Sequence, residues 1–195
     1  MVQTKVKSIS IEDFLKLPET KPASEFVDGQ IIQKPMPQGK HSTIRGGLIS
    51  AIDSTLKQGK IARAYPELRC TFGGRSTVPD VTVFDWNRIP CDDNGKVADV
   101  FALAPDWTIE ILSPDQSQTK VVRNILHCLS HRTQMGWLID PDEELIFVYL
   151  AQDPADKLEQ PRISVFETKE DLLPVPEFAK SFQLTVGQLF GWLED

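Results

Sequence analysis

Histidine is scarce in this 195-residue chain. His41, His127 and His131 are the three present, and none stands in H-E-x-x-H spacing. That excludes the metalloprotease pattern of two imidazoles and a glutamate on one helix face. The three cysteines, Cys70, Cys91 and Cys128, form no C-x-x-C pair. Scattered thiols speak against a structural zinc and fit a reducing cytoplasm, the expected location. No apolar run reaches the roughly 20 residues that span a bilayer, so neither a transmembrane helix nor a membrane partner is expected. The opening MVQTKVKSIS lacks an apolar segment of the secretory kind. G-x-S-x-G, G-x-x-x-x-G-K-[ST] and G-x-G-x-x-G are also missing, which removes the hydrolase elbow and the common nucleotide loops. Internal repeats and low-complexity segments are absent too.

What is present is a globular composition, 41% hydrophobic and 25% charged, with enough length to bury a sizeable core in one domain, 1–195. The net charge of -7 disfavours nucleic acid as a partner, but it averages over two unlike regions. Residues 34–75 hold Lys34, Lys40, Arg45, Lys57, Lys60, Arg63, Arg69 and Arg75 against Asp53 and Glu67, a local balance of +6 that leaves -13 for the rest. Local fields decide what docks where. The basic segment is either a solvated surface or a phosphate-facing patch.

The chain reads as a short helix at SISIEDFLKLPE, then a hairpin at EFVDGQIIQKP with Asp28-Gly29 at its turn. Ile44, Leu48, Ile52 and Leu56 recur every four residues, which predicts a helix over 40–57 stopped by Gly59. KIARAYPELRCTF reads as one extended strand with GGRST as its turn, followed by strands at VPDVTVFDW and DWTIEILSP. Val121, Val122, Ile125, Leu126 and Leu129 suit an amphipathic helix over 117–130. MGWLIDP and ELIFVYL form a hairpin, RISVFE a further strand and LTVGQLFGWLE a closing helix. This order predicts an α/β or α+β fold with a central mixed sheet flanked by helices. The acidic tail from Asp140 onward is expected to pack away from any anionic ligand.

Two predicted strands carry a carboxylate among apolar neighbours: Asp80 in VPDVTVF and Glu110 in WTIEILSP. A third, Glu67, lies in YPELRC, read as mid-strand. Strand side chains alternate, so Glu110 shares a face with Thr108 and Leu112 and points away from Ile109 and Ile111. A charge in such a setting needs a partner. For Asp80 the choice lies between a lysine or arginine, Arg75 or Lys120 among them, a protonated neighbour, and a metal ion. If the two strands pair, the carboxylates converge and either raise one another's pKa or recruit a cation. Hard oxygen donors of this kind suit Mg²⁺ or Mn²⁺.

FVDGQII, a helix beginning near His41, PELR, VPDVTVF, IEILSP and GWLID follow one another in this order. The ordered set resembles the Uma2-like family of endonucleases, formerly DUF820 and common in cyanobacteria, placed in the PD-(D/E)XK nuclease superfamily. The likeness covers about residues 11–150 and leaves 151–195 as an acidic C-terminal extension. It implies a restriction-endonuclease-like fold and a metal-dependent endonuclease that hydrolyses phosphodiester bonds of DNA. It also implies Asp80 and Glu110 as ligands of Mg²⁺ or Mn²⁺, with Glu67 assisting or ordering a water. The lysine of (D/E)XK is missing, because position 112 is leucine, and the position from which such proteins supply it instead is Asn124. Lys120 lies one helical turn before Asn124 and is the expected substitute; Arg123 is adjacent.

The remaining expectations are these. Lys40, His41, Arg45, Arg69, Arg75 and Arg123 are candidate nucleic-acid contacts, although His41 also suits a helix cap. Superfamily members often carry a carboxylate ahead of the metal motifs, which draws notice to Glu25 and Asp28, yet Asp28 is explained by turn chemistry. His127 and His131 read as surface residues. The alternative to a nuclease is a degenerate nuclease-fold module that binds nucleic acid or protein, and a structural oligomer with buried ion pairs is a third reading. A homodimer is plausible in either case.

Overall fold

The computed structural model describes residues 9–114, 116–151 and 162–194. Residues 152–161 and 195 of the C-terminal extension lie outside the described residues. Among the described residues the fold comprises two sheets and four α-helices. Helix α1 (Ile11–Phe14) opens it, capped by the Ser10 hydroxyl, which accepts from the Asp13 N–H. The hairpin of β1 (Ser24–Val27) and β2 (Gln30–Gln33) follows. Its turn residues Asp28 and Gly29 both have positive φ, 52° and 80°, the backbone that a two-residue hairpin turn demands. Helix α2 (Gly39–Leu56) comes next, with the predicted face of Ile44, Leu48, Ile52 and Leu56 fully buried.

The strand read over 61–72 is two strands in two sheets. β3 (Ala62–Pro66) ends before Glu67, whose φ of 44° breaks the extension. β4 (Cys70–Phe72) then starts a second hairpin with β5 (Arg75–Thr77), so that Arg75 to Thr77 is strand rather than turn. β4, β5 and the first hairpin form a four-stranded antiparallel sheet of order β2-β1-β5-β4. After Thr77 the chain crosses from this sheet to the next through Val78-Pro79-Asp80. Proline has no N–H for a ladder and tolerates such a crossing.

The larger sheet contains β6 (Val81–Asp85), β7 (Trp107–Ile111), β8 (Met135–Asp140), β9 (Leu145–Leu150) and β10 (Arg162–Phe166), in the order β10-β9-β8-β7-β6-β3. It is the expected mixed sheet: β7 and β8 run parallel and every other neighbour pair is antiparallel. The parallel pair is joined by helix α3 (Gln118–Leu129), which lies over one face on Val121, Ile125 and Leu129. The other face packs against α2 and against the C-terminal segment, including Leu173, Phe182 and helix α4 (Val186–Gly191). Trp107 and Trp137 meet edge-on in this core, as expected of core tryptophans. Among the described residues no helix is long and apolar enough to cross a membrane.

Candidate active site

β6 and β7 pair with Val81 opposite Ile109. One step further along the same antiparallel register, Asp80 comes beside Glu110. Both are buried, at 1% and 2% exposure. The alternation of β7 sends Ile109 and Ile111 into the core with α2 and leaves Glu110 on the α3 face. The partner of Asp80 is Lys34, just past β2: its ammonium donates to Asp80 Oδ1 at 2.7 Å and to Glu110 Oε2 at 3.3 Å. It also donates to the Val78 carbonyl at 2.8 Å. One ammonium therefore binds both carboxylates and the crossing chain that carries one of them.

The second oxygen of Asp80 is held as well. Oδ2 accepts from the Ile111 N–H at 2.8 Å and lies 3.1 Å from His41 Nε2. His41 reaches it because it stands three residues before Ile44, on the inward face of α2. Its Nδ1 is buried and has no hydrogen-bond partner among the described residues. Glu25 of β1, also buried, closes the cluster: Oε1 accepts from the Val78 N–H at 2.8 Å and Oε2 from Asn124 Nδ2 of α3 at 3.1 Å. The N–H and C=O of Val78 are thus tied to Glu25 and Lys34, and the sheet-to-sheet crossing is fixed from both sides.

The electrostatics follow from three buried carboxylates around one ammonium. Burial alone would push the Lys34 pKa down, but Asp80, Glu110 and Glu25 outweigh it and hold Lys34 above its ordinary value. Burial would raise Asp80; the Lys34 charge and the His41 bond overcome that and depress it. Glu110 ends well above the usual carboxylate range, because burial and the neighbouring Asp80 and Glu25 exceed the pull of Lys34. One ammonium among three buried carboxylates leaves the cluster short of positive charge, which favours the protonated form of Glu110.

That shortage bears on whether the residues suit a divalent ion. Two hard-oxygen donors, Asp80 and Glu110, already converge on one cationic atom. Mg²⁺ is commonly held by one or two carboxylates while keeping several waters, so the pair fits. Among the described residues no group of three or more His, Cys, Asp or Glu is arranged to hold a metal.

The other candidate residues are placed as follows. Glu67 is half-exposed beyond the end of β3, and its carboxylate is engaged by Arg45 at 2.7 Å. Lys120 is not at the carboxylates. It lies on the α3 wall of a cleft of about 620 Å³ whose opposite wall is the β1–β2 hairpin and whose floor includes Glu25, Lys34 and Asn124. Leu112, at the superfamily lysine position, packs into the apolar cluster beneath α3. Most of the basic segment is answered by acids from elsewhere in the chain. Lys40 pairs with Asp142 at 2.7 Å, Arg69 with Glu19 at 2.7 Å, and Arg75 forks onto Asp28 at 3.0 and 2.9 Å. His41 is spent on Asp80. Arg123 lines the cleft and, among the described residues, makes no ion pair.

The family model described as Uma2, putative restriction endonuclease, matches residues 11–187. The chain belongs to the Uma2 family. Among solved structures, a putative nuclease belonging to DUF820 from Anabaena variabilis ATCC 29413 is similar at a TM-score of 0.89 and 59% sequence identity, over 95% of this chain and 99% of that one. Comparison with curated proteins gives no match. This Uma2 protein thus combines the fold of a DUF820 nuclease with a side-by-side Asp80–Glu110 pair. The residue that sequence reasoning missed is Lys34, counted there as one more charge of a basic patch. Its signal was a lysine directly after a strand whose hairpin partner carries a glutamate at position 25.

Proposed function

We propose that this Uma2 protein is a metal-dependent nuclease that hydrolyses phosphodiester bonds of DNA, with Asp80 and Glu110 holding Mg²⁺ or Mn²⁺. The observation that carries this is the convergence of two buried carboxylates on a single ammonium, that of Lys34, which itself lines the adjoining cleft. A divalent ion bound there would polarise a phosphoryl oxygen and lower the pKa of a water.

The chain's own residues supply the rest. The Ile111 N–H and His41 fix Asp80 in place, so its charge is directed before any ligand arrives. Lys34 brings a positive charge and three N–H donors to the cluster, the role that the superfamily motif gives to its lysine; position 112 cannot provide it. Asn124 anchors Glu25 and so ties α3 to the β1 strand. We assign Glu67 no part, since Arg45 engages it outside the cluster. Lys120 and Arg123 stand where charged substrate would pass rather than where bonds change.

The test is nicking of supercoiled plasmid in Mn²⁺ alongside thermal unfolding with and without the ion. Wild type should nick DNA and melt higher with Mn²⁺, by mass action. Asp80→Asn and Glu110→Gln should each lose at least about 100-fold in cleavage and abolish the thermal shift. Absence of both effects in wild type would overturn the proposal. Salt-sensitive DNA binding that survives Glu110→Ala without nicking would instead establish the degenerate binding module. That reading draws on the way Lys34 already occupies the space between the carboxylates.

A further inference from the structure

The cleft beside the carboxylates has two unlike walls. On the hairpin side stand Gln30 and Ile32, on one face of β2 and both uncharged. On the α3 side stand Lys120 and Arg123, both exposed and, among the described residues, in no ion pair. Among the described residues the acids that line the cleft are already engaged: Glu25 by the Val78 N–H and Asn124, Asp28 by the fork of Arg75. The uncompensated charge that the described residues bring to this cleft is positive and stands on the α3 wall.

The spacing on that wall is regular. Lys120 and Arg123 are three residues apart and share a helix face with Asn124. They are offset by about 4.5 Å along the helix axis, against a rise of about 3.4 Å per nucleotide in one strand of DNA. Their long stems give each the reach to meet a separate phosphate of one strand. Lys120 sits in the first turn of α3, where a cation opposes the helix dipole. That turn carries no acid, and the Ser117 hydroxyl makes no capping bond. The placement is mildly unfavourable for the helix and favourable for an anion lying across it. The row ends at His127, whose Nε2–H is already given to the Phe72 carbonyl at 3.2 Å.

We propose that one nucleic-acid strand is seated in this cleft, with Lys120 and Arg123 gripping its phosphates beside the scissile bond and the uncharged Gln30–Ile32 wall facing its bases. The inference rests on the nuclease reading of the adjoining carboxylates but concerns binding, not bond cleavage. Phosphate contacts position a strand without reading its sequence. Lys120 and Arg123 should thus set affinity and its salt dependence while leaving the chemical step alone.

The experiment measures affinity for a fluorescent single-stranded oligodeoxynucleotide and for its duplex, in metal-free buffer, from about 50 to about 200 mM KCl. Lys120→Ala and Arg123→Ala are expected to shrink the slope of log affinity against log salt by about 0.7 to 0.9 each, and the double variant by about twice that. Lys57→Ala, at the far end of α2 and paired there with Asp53, should leave the slope unchanged. Unaltered slopes in the cleft variants, an equal drop in Lys57→Ala, or no wild-type binding to either probe would overturn the track. In Mn²⁺ the double variant should show a raised KM and an unchanged kcat for plasmid nicking. Wild type that binds with the expected slopes but nicks nothing would refute the nuclease reading and leave the track standing. Nicking with slopes that ignore Lys120 and Arg123 would do the reverse.

Discussion

The two faces of β7 are equally dry and differ in almost everything else. Ile109 and Ile111 are fully buried in a core shared with α2, α4, Trp137 and the C-terminal segment. Glu110, between them, is just as hidden, yet its nearest company is the ammonium of Lys34. The apolar face draws on many side chains, so no single one determines its geometry. The polar face draws on Glu25, Lys34, His41, Asp80 and Glu110, from the hairpin, the chain after β2, α2, the Val78–Asp80 crossing and β7. A core of the first kind stabilises a fold without specifying chemistry. A cluster of the second kind is costly to desolvate, and it holds several charged groups in one place.

The largest effect expected from breaking this contrast lies on the apolar face. Trp107→Ala removes a fully buried ring that meets Trp137 and Phe182, and should destabilise by about 4 kcal/mol in urea unfolding. Plasmid cleavage per folded molecule should be retained. A variant that kept its stability but lost cleavage would mean that the two faces are not separable in this way.

On the polar face, Lys34→Met leaves Asp80 and Glu110 buried without their cation and should destabilise by about 3 kcal/mol. The test that separates charge from packing is a double-mutant cycle. Glu110→Gln added to Lys34→Met should recover part of the loss, because it removes one of the carboxylates left unpaired. If the two losses simply add, Lys34 acts there as a spacer and not as a counter-ion.

Much of this arrangement could be read from the sequence, and the part that could not has a physical reason. Periodicity placed α2, α3 and the face of β7 that carries Glu110, because those patterns repeat within a single element. The paired strands and the Asp28-Gly29 hairpin were legible for the same cause. Lys34 was not, since its partners Asp80 and Glu110 lie 46 and 76 residues away in the chain and no local pattern marks it. The break at Glu67 was hidden because YPELRC has strand-like composition on both sides of one left-handed residue. The positive balance of residues 34–75 was real, but Glu19, Asp28 and Asp142 answer much of it from outside the segment. Helical spacing pointed to Lys120 as the missing lysine; it lines the α3 side of the cleft, and the carboxylates take their cation from Lys34, after the hairpin.

The smallest effect should appear as pH is varied, and here the two carboxylates oppose each other. Asp80 is depressed in the fold, so its contribution is present above its ordinary titration range and is lost as acid protonates it. Glu110 is raised from 4.5, so the folded protein binds a proton that the unfolded chain has released. Its contribution is complete below about pH 4.5 and declines as pH climbs toward its folded value. Lys34, raised above its ordinary value, stays charged through this window and adds no slope of its own. Glu110→Gln cannot titrate and should flatten the decline on the alkaline side of pH 4.5, so that its stability relative to wild type improves steadily with pH. The same proton competes with a divalent ion for Glu110. Under the proposed function, the Mn²⁺-induced rise in melting temperature of wild type should therefore grow as pH increases. A wild-type stability profile that parallels Glu110→Gln across this range would show that Glu110 is already ionised beside Lys34, and that the cluster has all the positive charge it needs.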